Sequence, residues 1–331
     1  MSVDLGAGDE PAYVLTQLIG PVAVGDRVVV NTTAVDLGLG TGGWHVVHWN
    51  LARDGWSGDE RGHVMKLRYT SLQADVRSAE ELHPEIADVG SVSGMPVVVA
   101  PLHSQLAAIS VAFKHLRPDA TLVYVMTDGA SLPIAISELV WQLRERSLLD
   151  ATVTSGQAFG GDHEAVSLHS ALAIAKHVAR ADAVIVAMGP GSAGTGTRLG
   201  FSGIELGSVL DATVGLGGIP IAALRLSHAD PRARHRGVSH HSVTTLLTAT
   251  RSRVRIAVPE ASWSDVCAAL ADAELDPAGR HEMIPVAPIG IVELMTAEGL
   301  HAESMGRPAA VDPVLFEAAA AAGVVAARAL P

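Results

Sequence analysis

From Pro96 onward the sequence alternates short, wholly apolar runs with segments of helical periodicity, and this alternation constrains the fold more than any other feature. A strand that is buried on both faces is apolar along its whole length, and helices between consecutive strands make those strands parallel. The apolar runs begin at Pro96, Thr121, Ala151, Ala183, Ile219 and Val254. We therefore predict an α/β fold with a mostly parallel, Rossmann-like sheet that carries helices on both faces.

The N-terminal part of the chain has a different pattern. Over residues 11–70, short β-branched runs, such as those that begin at Val28 and Trp44, are separated by glycine-rich turns. This pattern is typical of short antiparallel strands and predicts a small β-rich barrel or meander. We expect a β-rich domain over residues 1–85 and an α/β domain over residues 90–331.

Composition and charge narrow the classes of function. Hydrophobic residues make up 48% of the chain and charged residues 18%, so a large core can be buried. The net charge of −12 repels phosphate backbones, and no nucleic-acid partner is expected. The single cysteine, Cys267, excludes an intrachain disulfide. Neither a signal peptide nor an apolar run of about 20 residues is visible, so we expect a cytoplasmic protein without membrane contact. The prior for so apolar a chain is a homodimer.

The first candidate loop runs from Met188 to Thr197, directly after an apolar run. Open parallel sheets bind ligands outside the carboxyl ends of their strands, and a Gly-x-Gly-x-x-Gly pattern at such a place can approach a phosphate. The candidate ligand-binding residues are Gly189, Gly191, Ser192, Gly194, Thr195 and Thr197. The acidic residue that follows a dinucleotide loop after about 20 positions is missing. Contact with a phosphate or carboxylate and a purely structural turn therefore remain alternatives to dinucleotide binding.

The second candidate loop precedes a helix predicted over residues 162–180. Gly160 and Gly161 free the backbone for contact with an anion. Asp162 stands at the predicted N-cap, where it either caps the helix or orients a catalytic histidine. His163, in the predicted first turn, is a candidate catalytic residue.

The third loop, Ser227–Ser242, contains four histidines and one aspartate. Imidazoles and carboxylates bind zinc, manganese or iron, and histidine transfers protons near neutral pH. We assign His228, His235 and His240 as candidate metal ligands, and His240 and His241 as candidate catalytic residues. Adjacent histidines diverge on a helix, so a structural or solvated role is the alternative. Arg236 and Arg307 are candidate anion-binding residues, although a salt bridge from Arg307 to Asp312 is a simpler interpretation.

Four motifs occur together in this chain: Gln157–Asp162, Met188–Thr197, Gly237–His241 and Ser304–Arg307. In combination they resemble an actinobacterial family known only as a domain of unknown function. The resemblance spans nearly the whole chain. It implies that the loops act as a unit, and it supplies no activity, cofactor or catalytic residue.

Two hypotheses of function follow from these loops. In the first, the protein is an enzyme that acts on a small anionic or phosphorylated metabolite. The glycine loop at 189–197 would hold the anion, and His240 or His241 would transfer protons or bind a divalent metal. In the second, the protein is a non-catalytic sensor that binds a nucleotide-like ligand. A scaffold whose glycines only form turns is a third interpretation.

Overall fold

The computed structural model describes residues 1–6, 8–38, 42–58, 62–271 and 280–331. The chain divides into two compact units, Met1–Ser78 and Ala79–Pro331. The division falls before the predicted end of the β-rich domain at residue 85. The reason is burial: Ala79 and Ile86 are buried in a core of the larger unit.

The small unit is built around a mixed sheet. Its strands are β1 (Ser2–Asp4), β2 (Asp9–Tyr13), β3 (Val28–Asn31), β4 (His45–Asn50), β5 (Val64–Lys66) and β6 (Ala74–Val76), and its helices are α1 (Thr16–Ile19) and α2 (Thr33–Asp36). The sheet order is β1-β2-β4-β3, in which β2 and β4 are parallel and the other pairs antiparallel. β5 and β6 form a separate antiparallel pair.

The large unit contains a central parallel sheet. The strands of the large unit are β7 (Pro96–Val99), β8 (Leu122–Thr127), β9 (Ala151–Ser155), β10 (His163–Ala165), β11 (Ala183–Met188), β12 (Ile219–Ala222), β13 (Leu226–Ser227), β14 (Gly237–Val238), β15 (Arg255–Pro259), β16 (Glu282–Val286), β17 (Glu303–Ser304) and β18 (Arg307–Pro308). Eight of them form one sheet in the order β10-β9-β8-β11-β7-β12-β15-β16, and all its pairs are parallel. The predicted α/β fold with a small β-rich portion before it is confirmed.

Helices cover both faces of this sheet. They are α3 (Ala79–Leu82), α4 (Leu106–Leu116), α5 (Glu138–Glu145), α6 (Leu168–His177), α7 (Leu206–Gly215), α8 (His240–Thr244), α9 (Trp263–Ala271), α10 (Ile291–Ala297) and α11 (Pro313–Ala329). Among the described residues, none of the helices combines the length and the apolar character that crossing a membrane requires.

Alternate residues of the central strands belong to two different cores. Val98 and Ile185 face a core that includes side chains of α4, α5, α10 and α11. Their neighbours Val97 and Val184 face a second core that includes side chains of α6, α7 and α9. Because successive side chains of a strand point to opposite faces, the two cores lie on the two sides of the sheet.

The strand order creates a crevice in the middle of the sheet. β7 lies between β11 and β12. The helix after β7 is α4, whose Ile109 lies in the first core, whereas the helical segment after β12 places Leu246 in the second core. Neighbouring strands whose chains leave toward opposite faces open a gap at their carboxyl ends. A small, mostly apolar recess occurs there, lined in part by Val99, Pro101, Leu206, Ala222, Ala223 and Thr245.

Candidate functional site

A short hairpin after β12 forms the frame of the candidate site. β13 and β14 pair antiparallel, with Leu226 opposite Val238 and Ser227 opposite Gly237, so they close the loop 228–236 into a compact turn. Ser239 caps α8, since its Oγ accepts the backbone N–H of His241 at 3.2 Å. A π-helical turn, Thr245–Ala249, continues α8. Such turns are rare and are frequent at functional sites.

This frame brings three histidines together, and we call His235, His240 and His241 the histidine cluster. Each offers one ring nitrogen, and these atoms all lie within 4.8 Å of one another. The ring centroids of His240 and His241 are 4.4 Å apart, so the expectation that adjacent histidines diverge is wrong. The reason is local: both residues stand at the very start of α8, and Phe201 stacks on His241 at a centroid distance of 3.9 Å.

All three imidazoles are held in the uncharged form at neutral pH. Burial and the nearby Arg225 lower the pKa of His235 to about 4. Burial, His240 and Arg225 lower the pKa of His241 to about 3. Burial also lowers the pKa of His240, with help from the positive charge of Arg234. Neutral imidazole is the form that accepts a proton or binds a metal ion.

Beside the cluster, ionised groups form the arginine–aspartate network, which consists of Arg225, Asp230, Arg232, Arg307 and Asp312. The carboxylate of Asp230 accepts from Arg232 Nη2 at 2.8 Å and Nε at 2.9 Å. It also pairs with Arg225 Nη2 at 3.3 Å and Arg307 Nη2 at 3.4 Å. Arg307 Nε lies 3.3 Å from Asp312 Oδ2. With three guanidinium groups and two carboxylates, the network has an excess of positive charge.

Three guanidinium groups converge on Asp230, whose side chain is fully buried. Burial alone would raise the pKa of Asp230, but hydrogen bonds from Arg232 and the charges of Arg232 and Arg307 lower it below its usual range. Burial lowers the pKa of Arg225 to about 10. Arg225 Nη1 lies 3.5 Å from His241 Nδ1, which links the network to the histidine cluster.

The glycine loop at 189–197 lies next to this site. A Cβ at Gly196 would contact the guanidinium of Arg234, whose charge also acts on His240. Residues 191–199 are exposed, and the loop does not enter a helix directly: a 3₁₀ turn, Ser202–Glu205, precedes α7. Its geometry therefore differs from that of a dinucleotide loop, in which the phosphate lies at a helix N-terminus.

Polar groups of the glycine loop make bonds within the loop itself. Thr195 N donates to Gly200 O at 2.8 Å, and Thr195 Oγ1 lies 3.0 Å from Thr197 Oγ1. Gly194 forms a bridge with Phe201, the residue that stacks on His241. Gly194, Thr195 and Thr197 thus make their contacts within a turn that ends at Phe201, and Gly189, Gly191 and Ser192 precede them in the same loop.

The second loop lies elsewhere. Asp162 is not an N-cap, because β10 follows it and α6 begins only at Leu168 with Ser167 as its cap. Its carboxylate accepts the backbone N–H of Thr152 at 2.8 Å and holds β10 against β9. β10 lies five strand positions from β12, roughly 24 Å at about 4.8 Å per strand. Asp162 and His163 therefore do not contact the histidine cluster.

The glycines of the second loop use their backbone groups internally. Gly160 N donates to Glu164 Oε1 at 2.6 Å, and Gly161 N donates to Thr154 Oγ1 at 3.1 Å. A backbone N–H that already donates at such a distance is not available to an anion without a rearrangement. The assignment of Gly160 and Gly161 to anion binding is not supported by this geometry.

Of three further predicted residues, one lies in the arginine–aspartate network and two are exposed. His228 is exposed and lies outside the histidine cluster, with its backbone N–H donating to Asp312 Oδ1 at 3.2 Å. Arg236 is exposed and follows the 3₁₀ turn Ala233–His235. Arg307 belongs to the network, where its pairing with Asp312 agrees with the simpler of the two interpretations.

Sequence reasoning missed Phe201, Ser239 and the central place of Asp230. Ser239 Oγ lies 2.7 Å from His235 Nδ1 and so orients that ring. The sequence signal for Asp230 was present, since it shares its loop with Arg232 and follows Arg225 by five positions. No comparable signal existed for Phe201, because it reaches the cluster from a different loop.

Other polar groups occupy the same edge of the sheet. His103, which follows β7, has Nε2 2.6 Å from Ser137 Oγ and Nδ1 3.2 Å from Met188 O. Burial lowers the pKa of His103 to about 4. Glu205 bonds to Thr127 at the end of β8, and burial raises the pKa of Glu205. These groups join strands and loops across the crevice.

The chain belongs to the family described as Protein of unknown function (DUF3866), whose model matches residues 11–323. The predicted membership of a domain family of unknown function is confirmed by this match. No curated protein and no solved structure matches the chain significantly.

Proposed function

We propose that this protein is an enzyme that acts on a small anionic metabolite, such as a phosphate ester or a carboxylate, beside the histidine cluster. One observation carries the proposal: uncharged imidazoles adjoin a network with more guanidinium groups than carboxylates at the carboxyl edge of the sheet. Arginine binds carboxylate and phosphate through two parallel hydrogen bonds, and imidazole supplies proton transfer.

The arginines differ in what they can contact. The Arg225 side chain is only 3% exposed, and its role is to hold the network together and to adjoin His241. Arg232 has a side chain that is 34% exposed, and Arg307 one that is 15% exposed. The last two are therefore the residues we assign to contact with the ligand.

The histidines would serve as the acid–base groups. His240 and His241 are neutral at pH 7 because of burial and neighbouring positive charge. A neutral imidazole next to guanidinium groups is a weak base, but an anionic substrate would offset part of the positive field. Binding of the anion would then raise the affinity of the imidazoles for a proton at the moment of reaction.

The test begins with thermal unfolding in the presence of inorganic phosphate, a hexose phosphate, a nucleoside monophosphate and a dicarboxylate. A ligand at 100-fold its Kd stabilises the folded protein by about 2.7 kcal/mol. Arg232→Met should weaken binding of the active compound about 10–100-fold, since a charge-assisted hydrogen bond contributes about 1.5–3 kcal/mol. Arg253→Met removes the same charge at an exposed position and should leave binding unchanged.

Turnover of any stabilising compound is then followed by NMR. His240→Gln should slow turnover about 100-fold or more while the compound still binds. Stabilisation without turnover would identify a binding protein instead of an enzyme. If no anion stabilises the protein, or if Arg253→Met weakens binding as much as Arg232→Met, the proposed site is wrong. A cytoplasmic location and a homodimer remain predictions from the sequence.

A further inference from the structure

We propose that His235, His240 and His241 together bind one divalent transition-metal ion of the zinc type, with a fourth coordination position left open. This inference does not depend on the proposed substrate, because the ligands are the histidines themselves. With the ion bound, a water on the metal would take over the acid–base role that the proposed function gives to His240 and His241. It replaces His228 of the sequence-based set with His241.

The geometry is close to that of a bound site. Zinc–nitrogen distances of about 2.0–2.1 Å in a tetrahedron place neighbouring ligand atoms roughly 3.4 Å apart. The three ring nitrogens already lie within 4.8 Å of one another. Shifts of roughly 1 Å at the ring nitrogens would therefore bring these atoms to the spacing of a tetrahedral site.

A buried polar atom also points to a missing partner. His240 Nε2 is buried and has no hydrogen-bond partner within the part of the chain that the structure describes. Buried polar atoms in folded proteins are nearly always bonded. Coordination to a metal ion would satisfy this nitrogen.

The surroundings orient the ligands as in known metal sites. His235 Nδ1 lies 2.7 Å from Ser239 Oγ, so that its Nε2 is free to bind the ion. Hydrogen bonds of this kind fix the tautomer and the ring orientation of metal-binding histidines. Phe201 stacks on His241 and restricts rotation of that ring. The cluster is thus held by groups on two different loops.

The ligand type selects the class of metal. Three imidazoles and no carboxylate suit zinc, cobalt, nickel or copper, whereas magnesium and calcium prefer oxygen ligands. Three protein ligands with an open position are typical of catalytic sites rather than structural ones. Arg225 Nη1 lies 3.5 Å from His241 Nδ1, and its charge would favour an anion, either hydroxide or a substrate group, as the fourth ligand.

The experiment is a titration of chelator-treated, untagged protein with cobalt(II), followed by displacement with zinc. A tetrahedral cobalt site absorbs visible light far more strongly than hydrated cobalt, so the signal reports the coordination directly. We expect saturation at one ion per chain and loss of the absorption when zinc is added. Loss of a residue that only hydrogen-bonds to a metal ligand lowers metal affinity roughly 10–100-fold. Loss of a ligand itself should lower zinc affinity by more than this in each of the variants His235→Ala, His240→Ala and His241→Ala.

His228→Ala is the matched control, because His228 belongs to the same loop and lies outside the cluster. It should bind cobalt and zinc as the wild type does. Circular dichroism of the metal-free variants checks that they are folded, and the cobalt spectrum of the wild-type protein needs no variant at all. The inference is overturned if the wild type takes up no stoichiometric cobalt, if His240→Ala retains the full affinity, or if His228→Ala loses it. Metal binding without turnover of any anion would instead refute the proposed function and leave the metal site intact.

Discussion

Replacing Asp230 by asparagine removes the carboxylate on which three arginines converge. The Asp230 side chain is fully buried, and Arg225, Arg232 and Arg307 all lie within 3.4 Å of its oxygens. Breaking a buried ion pair by removing one partner costs about 3–5 kcal/mol, because the remaining charge is left uncompensated. Asparagine keeps one acceptor oxygen, and the Arg232 side chain is 34% exposed and partly solvated. We therefore expect Asp230→Asn to lower the free energy of unfolding by about 3 kcal/mol, at the lower end of that range.

The assay is urea unfolding followed by circular dichroism, which reports on the helices of the larger unit. Asp119→Asn is the control, since Asp119 is exposed and the change in charge is identical. It should alter the free energy of unfolding by no more than about 0.5 kcal/mol. Arg307→Met should cost less in the Asp230→Asn background than in the wild type, with a coupling energy of about 0.5–3 kcal/mol.

The reasoning is refuted if Asp230→Asn and Asp119→Asn have the same effect. That result would mean that solvent or Asp312 already neutralises the arginines, and that the buried carboxylate contributes little. Strict additivity of Asp230→Asn with Arg307→Met would likewise show that the two side chains act independently.

Further predictions concern other parts of the larger unit. Gly323→Val should destabilise the protein by about 1–3 kcal/mol or more, because a Cβ at Gly323 would overlap the carbonyl oxygen of Ile109; an unchanged melting temperature would show that the two helices can separate. The pKa of His241 is about 3 in the folded protein and ordinarily 6.5, so the folded state resists protonation of this ring. The stability that neutral His241 contributes is therefore fully present above pH 6.5 and is lost as the pH falls toward 3. In urea unfolding, His241→Asn should therefore reduce the dependence of the free energy of unfolding on pH by up to about 1.4 kcal/mol per pH unit. An unchanged dependence would contradict the lowered pKa of His241. Asp162→Ala removes the bond to Thr152 and should cost about 1–3 kcal/mol, while zinc affinity at the histidine cluster stays the same; a weaker affinity would show that the two regions are coupled.

The central strands and several helices were predictable because their signal is local. The apolar runs at Pro96 and Ala183 became β7 and β11, the middle of the sheet, where both faces are buried. The segment Leu106–Leu116, whose apolar residues recur with helical periodicity, forms α4. β10 and β16 were not predicted, since edge strands bury less of their surface and their sequences include polar residues.

The site was predictable in part. The loop 227–242 stood out because its polar residues interrupt an apolar chain, and His235 and His240 were assigned to one site and do lie together. His228 was assigned with them and lies elsewhere, whereas His241 joins the cluster. The difference depends on the register of the β13–β14 hairpin and on where α8 begins, and neither is readable from spacing.

The sequence by itself therefore determined that the larger unit has a buried parallel sheet between two layers of helices. A run of Val, Ile and Ala that is apolar at every position has to be buried on both faces, and this requirement needs no knowledge of partners. Only the tertiary structure decided which loops meet. Asp162 and His240 both stand in segments that follow apolar runs, yet the strand order separates β10 from β12 by five of the seven strand spacings in the sheet. Strand order depends on the packing of the whole chain, and so does the distance between any two residues that strands carry.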